Sequence, residues 1–138
     1  LVVTSEAKAQ EMGVKPMAQI TGSGSSGTKP ELAMEAPIPC CQKVLKTAGL
    51  SIHEVDLVEH NEAYSTASIA VSQGLEIDPK RFNIRGGAVA LGHPIGCSGA
   101  RILVTLVHAM RDKRAETGLA TLCLGGGNAI SMLISRCS

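Results

Sequence analysis

The chain has 138 residues, 44% of them hydrophobic, with 13 basic and 12 acidic side chains and a formal net charge of +1. That length suits one domain with a sizeable core, alone or with a scrap of a neighbour. Balanced charge gives no electrostatic footprint for nucleic acid or an anionic membrane surface, and no apolar run approaches transmembrane length. With one Tyr, one Phe and no Trp, the core must be built from Leu, Ile, Val, Ala and Met. The five cysteines are an odd number without C-x-x-C spacing. They read as reduced intracellular thiols, neither a disulfide framework nor a zinc site, so a cytoplasmic protein without a bound metal is expected. Leu1-Val2-Val3-Thr4 reads as the tail of a buried strand, which suggests a piece of a longer protein.

In chain order, residues 5–12 are predicted as a short helix capped by Ser5 and stopped by Gly13. Residues 17–22 read as a strand and the Gly/Ser-rich residues 22–30 as a loop. A helix over 39–48 carries Val44, Leu45 and Ala48 on one face and ends at Gly49. Ser51 with Glu54 three residues on fits a capping box. Residues 55–59 form a short buried strand, and residues 62–73 a helix with the small apolar residues Ala63, Ala67, Ala70 and Val71. After a connector over 77–83 comes a glycine-rich loop with His93 in it. The longest helix, 95–113, shows a 3.6-residue stripe of Ile95, Ile102, Leu103, Leu106, Val107 and Met110. Strands over 119–124 and 129–136 are joined by Gly125-Gly126-Gly127-Asn128 as a hairpin. This order predicts an α/β fold, a mixed β-sheet packed by helices with an antiparallel final pair.

Chemistry-bearing residues fall at strand ends and helix starts, where α/β proteins build sites. Asn61 either caps the helix after it or positions a water or a carbonyl oxygen. His60 and Glu62 beside it read as solvated or supporting groups. His93 lies between the glycines and Pro94, which suits the first position of a helix. A helix N-terminus there favours neutral imidazole, able to accept a proton from a nucleophile. The bland alternative is a hydrogen-bonded structural histidine. Cys123 precedes three glycines. It is either a buried structural cysteine or a thiol whose thiolate nearby N–H groups stabilise, Gly125 being the best donor for an oxyanion. Cys40, Cys41, Cys97 and Cys137 read as structural. Gly22-Ser23-Gly24-Ser25-Ser26-Gly27 fits G-x-G-x-x-G, but Pro30, Pro37 and Pro39 break the helix that such a turn requires. A flexible or ligand-facing loop is the better reading than a dinucleotide-binding turn.

Asn61-Glu62-Ala63-Tyr64, the stretch from Gly86 through Gly92-His93-Pro94-Ile95-Gly96-Cys97-Ser98-Gly99-Ala100-Arg101, and Cys123-Leu124-Gly125-Gly126-Gly127 together resemble the three C-terminal motifs of thiolases, the acetyl-CoA C-acyltransferases. The resemblance covers essentially the whole chain. It implies the layered thiolase fold, with residues 1–17 ending the N-terminal domain and residues 18–138 forming the C-terminal one. It implies that Asn61 holds a water forming an oxyanion hole with His93, that His93 also activates a nucleophilic cysteine, that Cys123 acts as acid and base, and that the Gly125 N–H serves a second oxyanion hole. Ala63, Tyr64 and Ser98 would lie near the substrate and its pantetheine arm. Coenzyme A thioesters would be substrates, with no resident cofactor, and the full-length protein would be a homodimer or homotetramer. Tyr64 stands where the family usually has Phe, Arg85 where Asn is common, and Asn128-Ala129 where another glycine is commoner. The family's nucleophilic cysteine lies in a motif that none of the five cysteines occupies, so this chain alone is expected to be inactive. The rival expectation is a non-catalytic thiolase-like domain that binds acyl-CoA or lipid.

Overall fold

A computed structural model describes residues 1–137. Its centre is a four-stranded sheet in the order β1-β4-β3-β2, with β1 at Ala18–Gly27, β2 at Leu57–His60, β3 at Thr117–Leu124 and β4 at Asn128–Arg136. β1 and β3 both run antiparallel to β4, and β2 runs parallel to β3. The predicted mixed sheet and its final antiparallel pair are therefore present.

Alternation along the strands divides the core into two layers. Val58, Leu119 and Leu133 face α2 (Pro37–Ala48) and α3 (Ser65–Gly74), packing on Cys41, Val44, Leu45, Val71 and Leu75. Leu57, Ala120 and Ile134 face α5 (Ser98–Lys113), packing on Ile102, Leu106, Ala109 and Met110. Helices thus cover both faces of the sheet. A Cβ at Gly118 would stand 2.5 Å from the Met110 sulfur, so a glycine there lets α5 press on β3. α1 (Glu6–Glu11) is capped by the Ser5 hydroxyl as predicted, and the Ser51–Glu54 capping box forms over a single 3₁₀ turn. No helix among the described residues is long and apolar enough to cross a membrane.

Residues 1–4, expected as the tail of a buried strand, are exposed and outside any strand, and four further departures exceed a shift of two residues at an element's end. The Gly/Ser stretch expected as a loop is the body of β1, registered against β4 as far as Gly27↔Asn128. Its composition is a packing requirement, because a Cβ at Gly24 would meet the Val44 side chain at 3.0 Å. A strand cannot wrap a pyrophosphate, which removes both the dinucleotide and the ligand-loop readings of this segment. α3 begins at Ser65 with Tyr64 as its N-cap, three residues later than expected. α5 begins at Ser98, not Ile95, because residues 94–97 form a turn in which the amides of Cys97 and Ser98 both donate to the Pro94 carbonyl, at 2.7 and 2.9 Å. Ile95 consequently leaves the apolar stripe and is 86% exposed. The fourth is a short helix α4 (Ala88–Leu91) inside the glycine loop, which its glycine content had masked.

Candidate active site

β2 ends at His60 and the chain stays in the sheet layer one residue longer, since the Asn61 amide donates to the Thr121 carbonyl of β3 at 3.2 Å. Leu57, Glu59 and Asn61 share the face of β2 that meets α5. Asn61 is fully buried and the N-cap of α3 is Tyr64, so the capping alternative falls. Its side-chain oxygen accepts from Arg101 Nη2 of α5 at 3.0 Å, and its backbone carbonyl accepts from the same nitrogen at 3.2 Å. A guanidinium only donates, so the amide oxygen belongs at Arg101 and Asn61 Nδ2 on the other side. There Nδ2 lies 3.3 Å from Nδ1 and 3.5 Å from Nε2 of His93, beside the imidazole rather than in line with either nitrogen.

His93 reaches this position from the glycine loop. Gly92, at φ +89° and ψ 160°, occupies a region closed to side-chain-bearing residues, and the chain turns there to set His93 against Asn61. Ser98, the first residue of α5, is fully buried beneath it. The Ser98 hydroxyl donates to the Pro94 carbonyl at 3.1 Å, which uses its one proton, and so accepts from His93 Nδ1–H at 2.6 Å. That network places the Nδ1 proton toward Ser98 and leaves Nε2 as the nitrogen that can take up a proton. The exposed imidazole is thus oriented with its basic nitrogen free. The control expected from a helix N-terminus comes instead from this one serine, since α5 starts five residues after His93. Ser98 was expected near a ligand; its hydroxyl is enclosed and spent on His93.

A buried shelf supports the pair. His60 is fully buried, with Nδ1 2.9 Å from the Ser68 hydroxyl and its ring stacked on Phe82. Burial pushes its pKa down to about 4, so it is a neutral packing group, not a solvated one. Glu62 takes a left-handed conformation at φ 57°. Its carboxylate accepts from Asn83 Nδ2 at 2.6 Å and from the Val89 amide at 3.2 Å. The Asn83 oxygen in turn accepts from the His60 amide at 2.7 Å, so Glu62 and Asn83 staple the glycine loop to the end of β2. Glu59 is 1% exposed. Burial raises its pKa to about 7, opposed by the Arg101 charge.

β3 delivers the last group. Cys123 is half-buried, two residues past Thr121, and thus at the same end of the sheet as Asn61. Burial pushes its thiol above the ordinary value, with a backbone hydrogen bond pulling the other way. A resting thiolate, one of the expectations for it, does not result. Among the described residues no hydrogen bond joins Cys123 to His93. Gly125 is exposed in the following turn, and a Cβ there would meet nothing within 4 Å, so it borders open space. Tyr64 is 62% exposed at the head of α3, with Ala63 half-buried beside it. Cys40 and Cys41 are buried as structural residues, whereas Cys97 is exposed and Cys137 half-buried. No cluster of three His, Cys, Asp or Glu among the described residues could hold a metal ion.

Sequence reasoning assigned no role to Arg101, Glu59 or Asn83. Arg101 stands three residues after Ser98, so on one face of a helix, and that spacing was the available signal. Glu59 signalled itself as an acid at the end of a strand read as buried.

A family model described as thiolase, C-terminal domain, matches residues 14–136. The chain belongs to the thiolase family. It is 48% identical over 136 residues to an acetyl-CoA acetyltransferase of Escherichia coli (strain K12), covering 99% of this chain and 34% of that protein. A probable acetyl-CoA acyltransferase of Staphylococcus aureus (strain NCTC 8325 / PS 47) is 45% identical with the same coverage. Among solved structures, an acetyl-CoA acetyltransferase of Bacillus anthracis superposes with a TM-score of 0.94 at 40% identity, over 96% of this chain and 34% of that one. Human mitochondrial 3-ketoacyl-CoA thiolase in complex with CoA also gives 0.94, at 38% identity and the same coverage. The chain therefore spans about a third of the length of the curated thiolases it matches, and it has the layered α/β thiolase fold.

Proposed function

We propose that this chain is the C-terminal catalytic part of an acetyl-CoA C-acetyltransferase, which condenses two acetyl-CoA or cleaves a 3-ketoacyl-CoA with CoA through an acyl-cysteine. The observation that carries the reading is the Asn61–His93 pair, with the Asn61 oxygen tied back by Arg101 and His93 Nδ1 tied back by Ser98. This arrangement leaves one amide N–H and one basic nitrogen side by side. The similarity to named acetyl-CoA acetyltransferases over 99% of the chain points the same way.

In the thiolytic direction, His93 Nε2 takes the proton of the nucleophilic cysteine as its sulfur attacks the ketone carbonyl of the substrate. The carbonyl oxygen becomes an oxyanion, held by the imidazolium Nε2–H and by a donor group oriented by Asn61. Collapse breaks the bond between the α- and β-carbons, and the electron pair leaves as the enolate of acetyl-CoA. Cys123 then gives its proton to that α-carbon, a role suited to a thiol kept protonated at rest; its thiolate next takes the proton of CoA, whose sulfur attacks the acyl-cysteine carbonyl, and the departing cysteine sulfur recovers its proton from the His93 imidazolium. In condensation Cys123, as thiolate, removes the same proton. The Gly125 N–H supports the enolate thioester oxygen, and Ala63 and Tyr64 line the substrate entrance. The acylated cysteine belongs to a part of the family's sequence that none of the five cysteines here represents, so turnover requires that part. The full-length protein assembles as a homodimer or homotetramer.

The test is CoA-dependent cleavage of acetoacetyl-CoA by the full-length protein and its His93→Ala variant. Turnover that falls at least about 10²-fold in the variant supports the proposal. CoA binding by the folded full-length protein without turnover overturns it in favour of a non-catalytic acyl-CoA-binding relative.

A further inference from the structure

A primary amide has two nearly isosteric faces, one donating and one accepting. Beside His93 they have opposite effects: Nδ2–H attracts a developing oxyanion, and Oδ1 repels it. His93 does not choose between them, because Nδ2 lies at nearly equal distances, 3.3 and 3.5 Å, from both ring nitrogens. The choice is made on the other side, where among the described residues the only polar partner of Oδ1 is Arg101 Nη2 at 3.0 Å. The same nitrogen also holds the Asn61 carbonyl. Rotating the amide by 180° would bring its NH2 against a guanidinium.

Among the described residues, Arg101 Nε and Nη1 are buried without a hydrogen-bond partner, and so is Oε2 of Glu59, two residues before Asn61 on the same face of β2. Arg101 and Glu59 attract one another at longer range. A buried guanidinium with two idle donors is a poor device for joining α5 to the sheet, where an apolar side chain among Ile102, Leu106 and Leu57 would pack at lower cost. It suits a device whose purpose is its one occupied end. We propose that Arg101 is a positioning residue: it fixes the Asn61 amide with its donor face toward the oxyanion site beside His93.

This inference rests on the thiolase reading of the same site, and its test separates the two. Acetoacetyl-CoA thiolysis is measured with the full-length protein as wild type, Arg101→Met, Asn61→Ala and the double variant, after circular dichroism confirms folding. If Arg101 acts through Asn61, Arg101→Met lowers kcat about 10²-fold, in the range for loss of one oxyanion-site donor, with KM for CoA changed less than about 3-fold. The double variant is then no slower than Asn61→Ala alone. Multiplying effects in the double variant, or an unchanged kcat in Arg101→Met, overturn the proposal, since a merely structural arginine would act independently of Asn61. Should Arg101→Met fail to fold, Arg101→Lys replaces it in the same cycle, keeping charge and stem but losing the planar fork. A second readout needs no turnover: the Asn61 side-chain ¹⁵NH2 group should relax as a rigid group in wild type and as a mobile one in the variant. An inactive wild type would defeat the thiolase reading, while equal mobility in both proteins would defeat the positioning role.

Discussion

Glu59→Gln should make the protein more stable at neutral and alkaline pH, although it removes a charge that faces an arginine. The Glu59 carboxyl is 1% exposed, and burial moves its pKa from an ordinary 4.5 to about 7 despite the attraction of Arg101. A pKa raised in the fold means that the protonated form is favoured there. The stability it contributes is complete below about 4.5 and is lost as pH rises through about 7. At about 1.4 kcal/mol per pH unit of displacement, the full loss is about 3 kcal/mol. Glutamine fills the same volume and cannot ionise, so the variant escapes that loss. His60, whose pKa burial lowers to about 4, acts in the opposite sense: its stability is present above its ordinary 6.5 and falls as pH drops through about 4. It is common to both proteins and cancels in their difference. The assay is urea unfolding of wild type and Glu59→Gln from pH 4.5 to 8.5, followed by far-UV circular dichroism because the chain has no tryptophan. The variant should gain on wild type by about 3 kcal/mol across that range, most of it between pH 5 and 7.5. A difference constant within about 0.5 kcal/mol, or a variant that loses ground as pH rises, would refute the reasoning. The second result would mean that Arg101 holds Glu59 ionised inside the fold.

Gly127→Ala should destabilise by more than about 2 kcal/mol: its φ is +89° and a new Cβ would meet the Thr28 and Lys29 carbonyl oxygens at 2.6 and 3.0 Å. Gly125→Ala, two residues away and facing open space, should unfold within about 0.5 kcal/mol of wild type, and thermal melts of the two compare them directly. Asp56 ties β2 to β3 by accepting from the amides of Glu116 and Thr117 and from the Thr117 hydroxyl, at 2.8, 2.9 and 3.1 Å. Burial alone would raise its carboxyl, but these bonds hold it below its ordinary value, so its contribution is present at neutral pH and lost in acid. Asp56→Asn should therefore be less stable than wild type at pH 7, with the gap closing as pH falls below the ordinary 3.8; a gap independent of pH would contradict this. Leu106→Ala, at a fully buried residue of α5, should cost about 2–5 kcal/mol in a chemical denaturation midpoint.

Periodicity and local chemistry made much of the architecture legible. The stripe through Ile102, Leu106 and Met110, the Ser51–Glu54 box and the glycine turn before Asn128 are local signals, and each formed as expected. What escaped was set by partners distant in sequence. Residues 22–27 read as a loop because nothing local reveals that Val44 needs room above them. The start of α5 shifted because Cys97, at φ −121°, leaves helical geometry after the turn that the Pro94 carbonyl closes. The site divides in the same way. Asn61, His93 and Cys123 were visible from the glycines and strand ends around them, and the first two are in contact. Their supports were not: Arg101 lies 40 positions from Asn61 and Asn83 lies 21 from Glu62, and no local pattern encodes such pairings. Of the two readings of Cys123, a buried structural thiol or a thiolate stabilised by neighbouring N–H groups, the second fails because burial outweighs the backbone hydrogen bond.

Acetoacetyl-CoA thiolysis by the full-length protein, compared among wild type, Cys123→Ser and Cys137→Ser, tests most directly whether the ends of β2 and β3 and the His93 loop form one catalytic centre. The account predicts that Cys123→Ser folds normally but turns over about 10²–10⁴-fold more slowly, as expected for loss of a general acid–base, while Cys137→Ser matches wild type. A Cys123→Ser protein cleaving acetoacetyl-CoA at the wild-type rate would contradict it.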